Sequence, residues 1–434
     1  MPLEQVHIKA ILDITSNIEL YLSDESNNKE LPNILKYLQE LKHNDKTILK
    51  SIGSVNLFEI NKFKMSQSKD VVKSTYSCDS GSTNPILFDN GLFVSFCHAV
   101  IATIPTNLEI HKKRTIVSVA YSESKSTRIR TNTEWNFFDD DTSRWKLIQI
   151  ESGLLKKGID RVVHDIALYF AESEHILLNI FNLNGFKNIS DLKNIKELEN
   201  LNEDEFFIMD GPIIPKQLIY LMALKNESIR IYEDEVAEKI IQNYIDIIDY
   251  HIKRKIPIIG FVKNPEDSYI LKALKSKEYE LDLPWTRDSQ LFKAILSNHT
   301  KDSENLRFSK NFISYTNWFI HPYKSTIEKA SPITEFSMPD EDYFIAFFII
   351  YVPDMDVVFK IESPYGLIKN EKIRNHITKK VLYDISLNGI PITLTKADSI
   401  AKIRISEKQQ IIDRFKNIKS DTIYNDIRWG NIDE

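Results

Sequence analysis

Residues 91–104, GLFVSFCHAVIATI, are the longest of three strand candidates that follow one another closely in the chain. Residues 74–78 form a shorter candidate that runs into the motif DSGS at 79–82, and residues 114–121, RTIVSVAY, form the third. Apolar, β-branched runs joined by short connections are typical of an antiparallel meander. The sequence therefore predicts that a sheet begins near residue 74.

After the meander, helical and extended patterns alternate. We expect a polar loop at 123–144, then, in order, a mainly helical stretch at 144–183, a surface insertion at 183–203, a strand at 206–209, helices at 215–225 and 234–254, a strand at 256–262, and helices at 268–274 and 288–296. The order β-β-β-α-β-α-β-α predicts an α/β fold with a mixed sheet flanked by helices.

The two ends of the chain have sequence patterns that differ from those of this central part. The first 70 residues carry two leucine- and isoleucine-rich stripes that predict an αα-hairpin turning near residues 27–29. Near the other end, residues 343–352, YFIAFFIIYV, and 357–362 predict a strand hairpin, followed by two or three helices. We thus divide the chain into an N-terminal helical region at 1–70, a core at 71–300, and α+β additions at 301–434.

Composition excludes several classes of protein. Of 434 residues, 42% are hydrophobic and 27% charged, which is typical of a globular protein. No apolar run reaches the roughly 18 residues of a membrane span, and the N-terminus lacks a secretion signal, so we expect a cytoplasmic protein without a membrane partner. Cys78 and Cys97, the two cysteines, exclude a disulfide framework and a cysteine zinc cluster. A net charge of −6 excludes a generally basic nucleic-acid coat.

Two aspartates stand where predicted strands end. Asp79 follows the first strand of the meander, and Asp210 follows the strand at 206–209. Ligands of α/β proteins gather where loops leave adjacent strand ends, and paired carboxylates there can hold a hard divalent cation. The alternative is that both are ordinary turn residues, because Asp and Gly are frequent in turns.

A third acid is expected from the helix between these strands. At 100° per residue, Glu174 projects onto the apolar face between Phe170 and Leu177, whereas Glu172 projects to the opposite, solvent side. Burying a carboxylate on a core-facing stripe costs free energy unless it is paired or bound to metal. This helical-wheel projection therefore favours Glu174 as a functional acid. The alternative is a partly exposed Glu174 at the edge of the stripe, with Glu172 as the reserve candidate.

Asp288 and Lys263 complete the candidate set. Asp288 opens a predicted helix, where an aspartate can equally be a simple helix cap. Lys263 directly follows the strand at 256–262 and could contact a phosphate or remain solvated. Strand-end and helix acids in this arrangement suit a metal-dependent phosphodiesterase, in which metal ions lower the pKa of a bound water. The chain has no Walker A loop, GxGxxG, HExxH or GxSxG motif.

Six short motifs resemble, in order, those of the NurA nucleases, which process DNA ends. They are YSCDSGSTNP at 76–85 with NGL at 90–92, IMDGP at 208–212, GFVKNP at 260–265, WTRD at 285–288, FKIESP at 359–364, and PITLTKAD at 391–398. The resemblance runs from about residue 70 to about residue 415.

This resemblance implies a ribonuclease-H-like fold and a Mn²⁺-dependent (or Mg²⁺-dependent) nuclease with single-strand endonuclease and 5′–3′ exonuclease activity. It further implies a homodimer that acts with a HerA-type hexameric translocase in double-strand break resection and repair. By position, Asp79, the helix glutamate and Asp210 would be metal ligands, with Asp288 another. The chain departs from the family at Asp398, where the family usually has histidine after alanine, and in the longer spacing between the helix glutamate and Asp210.

Other readings of the sequence stay open. The chain could be a catalytically degenerate dimeric adaptor of a translocase, or a related ribonuclease-H-like nuclease that acts on RNA or in defence. The presence of all four acids favours the enzyme. For DNA contact we expect the basic residues near the third strand, although they could simply form a solvated edge: Lys112, Lys113, Arg114, Arg128 and Arg130.

Overall fold

The computed structural model describes residues 4–22, 31–88, 90–124, 127–131, 134–138, 143–301 and 311–415. Its centre is a mixed sheet to which fifteen strands of these residues contribute. The strands are β1 Glu40–His43, β2 Lys46–Ser51, β3 Leu57–Asn61, β4 Ser74–Ser82, β5 Ile86–Leu87, β6 Phe93–Ile104, β7 Thr115–Tyr121, β8 Asn136–Phe137, β9 Arg144–Gln149, β10 Glu205–Asp210, β11 Ile258–Val262, β12 Phe312–Thr316, β13 Phe319–His321, β14 Ile345–Val352 and β15 Val357–Pro364.

Helices of very different lengths connect and cover these strands. They are α1 Gln5–Leu22, α2 Leu31–Tyr37, α3 Lys62–Ser66, α4 Leu108–Lys112, α5 Ile159–Asn184, α6 Ile189–Lys193, α7 Lys216–Leu224, α8 Glu235–Arg254, α9 Tyr269–Leu274, α10 Asp288–Lys301, α11 Lys324–Ala330, α12 Tyr365–Ile368, α13 Glu371–Asn388, α14 Ile392–Ala401 and α15 Ile405–Phe415. In the described part of the chain, none of them is long and apolar enough to cross a membrane.

The middle of the sheet has the order β15-β11-β10-β4-β6-β7-β9. The predicted meander is confirmed, since β6 pairs antiparallel with both β4 and β7. Strand β10, which comes after α5, then pairs parallel with β4, and β11, which comes after α8, pairs parallel with β10. The predicted α/β class with a mixed sheet is therefore confirmed.

The predicted hairpin near the C-terminal end is also confirmed. Strands β14 and β15 pair antiparallel from Val352 and Val357 outward, and all eight residues of β14 are buried. Alternate side chains enter different cores: Phe348 packs in the main core, whereas Phe347 packs in a second one. A strand covered on both faces needs apolar residues at every position, which explains the unbroken apolar run.

The long helix α5 lies between the sheet and helix α8. It starts after Gly158 and stops at Gly185, both in the left-handed backbone region that glycine adopts without strain. Its residues contact β4, β6 and β7 on one side and α8 on another. Because two layers cover α5, residues around most of its circumference are buried, and only part of its surface meets solvent.

The N-terminal region differs from the prediction. Residues 40–61 form three strands instead of a second helix, and Leu41 lies opposite Leu49 in the pairing of β1 with β2. Strand β2 then pairs with β13, and β3 pairs with β12. The leucine spacing suited a helix, but tertiary pairing with the C-terminal strands decides the structure. Among the described residues of this region, α1, α2 and the short α3 are the helical ones, and the predicted turn at 27–29 lies outside the described residues.

Two further local predictions need correction. Residues 144–149, expected to begin a helix, form strand β9, which runs parallel to β7. The stretch 183–203, expected to be a surface insertion, includes α6, whose Leu192 is buried in the main core. The acidic residues 139–141 of the predicted loop lie outside the described residues.

Candidate active site

Asp79 and Asp210 lie side by side on neighbouring parallel strands. Met209 of β10 is in register with Cys78 of β4, so the next residue of each strand is one of the two aspartates. Register partners in adjacent strands point to the same face of a sheet. Burial raises the pKa of Asp79 to about 7, and the charge of Asp210 adds to this shift. The structure thus brings the two predicted strand-end acids together.

Lys263 is the cation of this group. It follows β11, the strand next to β10, and its Nζ lies 2.7 Å from Oδ2 of Asp210. Burial raises the pKa of Asp210, while the bond to Lys263 opposes the rise. The structure therefore places the predicted Lys263 at the site, in contact with a carboxylate.

Glu172 of α5 joins the group from the helix layer. The Ser80 hydroxyl donates a 2.6 Å hydrogen bond to its Oε1, and the Tyr244 hydroxyl donates one of 3.3 Å to its Oε2. Burial raises the pKa of Glu172 to about 8, and the charges of Asp79 and Asp210 raise it further against the two hydrogen bonds. Glu172 is therefore the helix acid that interacts electrostatically with the strand-end pair.

Glu174 belongs to a different cluster. Its carboxylate lies 3.1 Å from Arg144 Nη2 and 3.1 Å from Lys239 Nζ, and it accepts a 3.0 Å hydrogen bond from Asn243. Burial alone would raise its pKa, but Lys239 and Arg144 hold the pKa below its usual value. A carboxylate neutralised in this way has no free charge for a cation.

The expectation that Glu172 faces solvent is wrong. Its side chain is buried at 9% exposure, close to the 6% of Glu174. The wheel assumed that α5 has one buried face, but α8 covers a second one and supplies Tyr244 to Glu172 and Asn243 to Glu174. The spacing of apolar residues along one helix does not show that the helix has two buried faces, or which of them holds a site. It could therefore not have identified Glu172.

Asp398 is a further acid of the group, although the sequence left its role open. It lies on α14, which packs against β4 and β6, and its charge raises the pKa of both Asp79 and Asp210. The packing is close, because a Cβ added to Gly81 would lie 1.8 Å from the carbonyl oxygen of Ala401. The position of Asp398 within the last family-like motif was the sequence signal for it.

Asp288 is not part of this group. Its two carboxylate oxygens accept hydrogen bonds of 3.2 Å from the amide of Ile270 and 2.9 Å from that of Leu271, in the first turn of α9. Burial raises its pKa to about 6, and the nearby charges that act on it are Lys360 and Asp267. The simple capping role, which the sequence left as an alternative, is what the structure gives Asp288.

The predicted basic residues lie on other surfaces. Lys112 is exposed and Lys113 half-buried, and the Arg114 guanidinium donates to the carbonyls of His111 and Lys113. Arg128 and Arg130 are exposed at the rim of a mostly apolar pocket of about 760 Å³ beside Trp145. None of the five is among the charges that chiefly set the pKa of Asp79, Glu172 or Asp210.

The donor chemistry of the group suits a hard divalent cation. Asp79, Glu172, Asp210 and Asp398 offer only carboxylate oxygens, the ligands that Mg²⁺ and Mn²⁺ prefer. These four carboxylates do not form a complete coordination shell, however. Among the described residues no three His, Cys, Asp or Glu side chains are placed to hold one ion together, and Asp210 and Glu172 instead bond Lys263 and Ser80.

Fold and site together define an α/β protein with buried carboxylates gathered around two parallel strands. The sequence matches the NurA domain over residues 73–403, which is most of the chain. The chain belongs to the NurA family. No curated protein sequence matches it.

Solved structures of NurA proteins resemble the chain over nearly all of its length. The NurA nuclease from Sulfolobus solfataricus is 11% identical, with coverage of 92% of this chain and 96% of that one and a TM-score of 0.40. A NurA structure with manganese is 11% identical, with coverages of 96% and 98% and a TM-score of 0.37. A NurA structure bound to dAMP and manganese is also 11% identical, with coverages of 94% and 96% and a TM-score of 0.38. The family assignment rests on the domain match.

Proposed function

We propose that this protein is a divalent-metal-dependent deoxyribonuclease that hydrolyses phosphodiester bonds with Mn²⁺ or Mg²⁺. The observation that carries the proposal is that Asp79 and Asp210 lie side by side on parallel strands, with Glu172 near them. Burial, with a smaller contribution from their mutual charges, raises the pKa of Asp79 to about 7 and that of Glu172 to about 8. Strongly raised carboxyl pKa values in one place are typical of functional sites. Membership of the NurA family, one of whose solved members is described as a nuclease, supports the same reading.

Asp79, Glu172, Asp210 and Asp398 are the residues that would hold the metal. Glu172 takes the place that the sequence gave to Glu174, because Glu174 is neutralised by Arg144 and Lys239. When bound, a divalent ion supplies an activated water and stabilises the charge that develops on the phosphate. Asp398 stands at the position at which the family usually has histidine. The proposed metal ligands of this chain would therefore all be carboxylates, instead of carboxylates and a histidine.

The chain's own side chains control protons and charge at this site. Asp79 and Glu172 hold protons near neutral pH and must release them before their oxygens can bind a cation. The ammonium group of Lys263 donates a 2.7 Å hydrogen bond to the carboxylate of Asp210. If that contact were released, the ammonium group of Lys263 would be available to face a phosphate of the substrate.

We also propose that the core is ribonuclease-H-like. The support is the order β7-β6-β4-β10-β11, with an antiparallel meander on one side and parallel strands on the other. In this arrangement Asp79 lies on the first strand of the meander and Asp210 on the first strand that joins it in parallel. Helices α5 and α14 supply the remaining acids.

DNA as the substrate, the single-strand endonuclease and 5′–3′ exonuclease activities, and a role in double-strand break repair are proposals that rest on the family resemblance. So are the homodimer and the HerA-type hexameric partner. For partner docking we favour α1, because several of its apolar residues are exposed: Val6, Ile8, Ile11, Leu12 and Ile14. Sedimentation at micromolar concentration and a pull-down with the translocase would check the two associations.

A cleavage assay tests the proposed function. Purified protein is incubated with end-labelled single-stranded DNA, duplex DNA and RNA of matched sequence, with and without Mn²⁺. Asp79→Asn and Asp210→Asn are expected to abolish Mn²⁺-dependent cleavage of DNA. Asp165→Asn is the matched control, because Asp165 is another α5 acid with its pKa raised by burial, to about 6. Cleavage by Asp79→Asn at the wild-type rate would refute the site, and preferential cleavage of RNA would refute the substrate.

A further inference from the structure

Four charged side chains join the segment that follows Asp210 to the segment that follows Lys263. We call them the buried ion network: Lys216, Asp267, Lys360 and Glu362. Glu362 is fully buried and Lys360 is 3% exposed, although both are charged residues of strand β15. None of the four contacts Asp79 or Glu172 in the hydrogen bonds and ion pairs of the described residues, so the network is separate from the proposed metal ligands.

The first segment is the turn directly after Asp210. The Gly211 amide donates to the carbonyl of Phe261, and the Ile213 amide donates to Glu362 Oε2 at 3.4 Å. The turn lies directly on Gly260, because a Cβ added there would be 2.5 Å from the Ile213 nitrogen. Glu362 lies opposite Gly260 in the pairing of β11 with β15. The carboxylate of Glu362 therefore fixes the backbone three residues beyond Asp210.

The second segment runs from Lys263 to Asp267. Asp267 contacts Lys360, lies 3.4 Å from Lys216 and, through its carbonyl, accepts the amide of Asp288 at 2.8 Å. Lys360 also lies 2.9 Å from Glu362, which in turn contacts Lys216. Each lysine thus bridges Asp267 and Glu362, so the two segments are tied to each other as well as to strand β15.

Stability alone is a poor explanation for these buried charges. Taking ions out of water is costly, and replacing a buried ion pair by well-packed apolar residues is often neutral or stabilising. Burial would raise the pKa of Glu362, but Lys216 and Lys360 hold that pKa below its usual value, so the residue is charged. A charged, directional network specifies one geometry for the two segments that it joins, whereas apolar packing would tolerate several.

We propose that the buried ion network positions Asp210 and Lys263, so that its residues act on the metal site without touching it. The part of this inference that concerns metal binding rests on the proposed nuclease function. Partners that orient metal ligands from outside the ligand shell typically affect metal affinity by about 10–100-fold when they are removed. The network would then set how readily Asp210 is presented to a cation.

Two variants with opposite charge changes test the proposal. Lys360→Met removes a positive charge and Glu362→Gln removes a negative one. If the network acted only through its electric field, Lys360→Met would tighten Mn²⁺ binding and Glu362→Gln would weaken it. Positioning predicts that both variants weaken Mn²⁺ binding by about tenfold or more, as measured by calorimetric titration of the full-length protein.

Lys380→Met is the matched control. Lys380 is also 3% exposed and also bridges two carboxylates, at 2.8 Å from Asp70 and 2.8 Å from Asp384, but it lies on α13. Its loss is expected to lower the thermal midpoint as Lys360→Met does, while Mn²⁺ affinity stays within about twofold of wild type. Wild-type Mn²⁺ affinity in both Lys360→Met and Glu362→Gln would overturn the proposal, as would opposite effects of the two.

Hydrogen exchange separates failure of this inference from failure of the proposed function. In metal-free Lys360→Met, the amides of Gly211 and Ile213 are expected to exchange about tenfold faster than in wild type, with α13 unchanged. If the wild-type protein binds no Mn²⁺, the proposed function fails, and unchanged exchange at Ile213 would then still refute the positioning. Should Lys360→Met not fold, Glu362→Gln carries the same comparison.

Discussion

The hydroxyl of Ser80 lies 2.6 Å from Oε1 of Glu172 and so ties strand β4 to helix α5 at the carboxylate group. Its neighbour Asp79 points to the opposite face of the sheet, because successive side chains of a strand alternate. On that face Gly81 packs against α14, the helix of Asp398. One strand therefore connects the helix layers on both faces of the sheet to the same group of acids.

The two glutamates of α5 are expected to respond differently to substitution. Glu172→Gln should reduce Mn²⁺-dependent DNA cleavage by at least about a hundredfold, because it removes a proposed ligand that interacts with Asp79 and Asp210. Glu174→Gln should retain cleavage but lose stability on the order of 3 kcal/mol, because Arg144 and Lys239 would lose their buried partner. Cleavage rates and chemical unfolding of both variants measure the two effects.

Each of these two variants is the control for the other, because both replace a buried glutamate of the same helix by glutamine. Loss of cleavage in Glu174→Gln with normal cleavage in Glu172→Gln would restore the assignment made from the helical wheel. Normal cleavage in both would remove α5 from the site.

The metal-free protein should become less stable as the pH rises from about 4 to about 8. In the folded state the pKa is about 7 for Asp79 and about 8 for Glu172, against ordinary values near 4 in the unfolded chain. In this window the folded protein therefore holds protons that the unfolded chain has lost, and the free energy of unfolding falls with pH. The fall should be at least about 1.4 kcal/mol, the equivalent of a one-unit shift.

Urea unfolding at a series of pH values in the presence of a chelator measures this dependence. The double variant Asp79→Asn, Glu172→Gln lacks both protons and should show a smaller fall than the wild type. Saturating Mn²⁺ should also reduce the fall, because a bound cation favours the ionised carboxylates. An identical pH dependence in wild type and double variant would show that other acids account for it.

Asp398 is expected to contribute to metal binding rather than to folding alone. Asp398→Ala should weaken Mn²⁺ binding about tenfold or more and should lower the pKa of Asp79 and Asp210, because the charge of Asp398 raises both. Asp398→His, which restores the residue usual in the family, should recover part of the affinity, because histidine also binds Mn²⁺. Calorimetric titration measures the affinities, and equal Mn²⁺ binding by wild type and Asp398→Ala would contradict the assignment.

Two truncations at the N-terminus should have opposite outcomes. Removal of residues 1–22 takes away only α1 and the residues before it, so Mn²⁺-dependent cleavage should persist while binding to a hexameric translocase weakens. Removal of residues 1–70 also takes away β2 and β3, which pair with β13 and β12, and should prevent stable folding. Circular dichroism, cleavage and a pull-down distinguish these results. Normal capture of the translocase by the shorter truncation would exclude α1 as the docking surface.

The strand-end acids could be predicted because their signal is local. Each predicted strand leads into Asp79 or Asp210, and the element order alone places β4 and β10 in one sheet. The helix acid could not be predicted, because the choice between Glu172 and Glu174 depends on α8, whose contacting residues are 72 and 69 residues further along the chain. A hydrophobic pattern reports that a face is buried, but not which neighbour buries it.

The same limit explains the other corrections. Leu41 and Leu49 suited a helix by their spacing, yet Leu49 lies on β2, which pairs with residues near 320, and Leu41 lies on β1, which pairs with β2. Asp288 is the last residue of a family-like motif, but its carboxylate caps a helix that starts at Tyr269. Long-range contacts decide each case, and no window of neighbouring residues contains them.

The close packing of Gly81 against Ala401 has a consequence for the synthesis of the protein. Asp79 leaves the ribosome early, but α14, which brings Asp398 to it, begins only at Ile392. During translation the emerging chain would therefore hold three of the four proposed carboxylates without the last one. A message that is broken or prematurely stopped before this helix would yield an incomplete site, so the proposed nuclease activity would be withheld from unfinished copies.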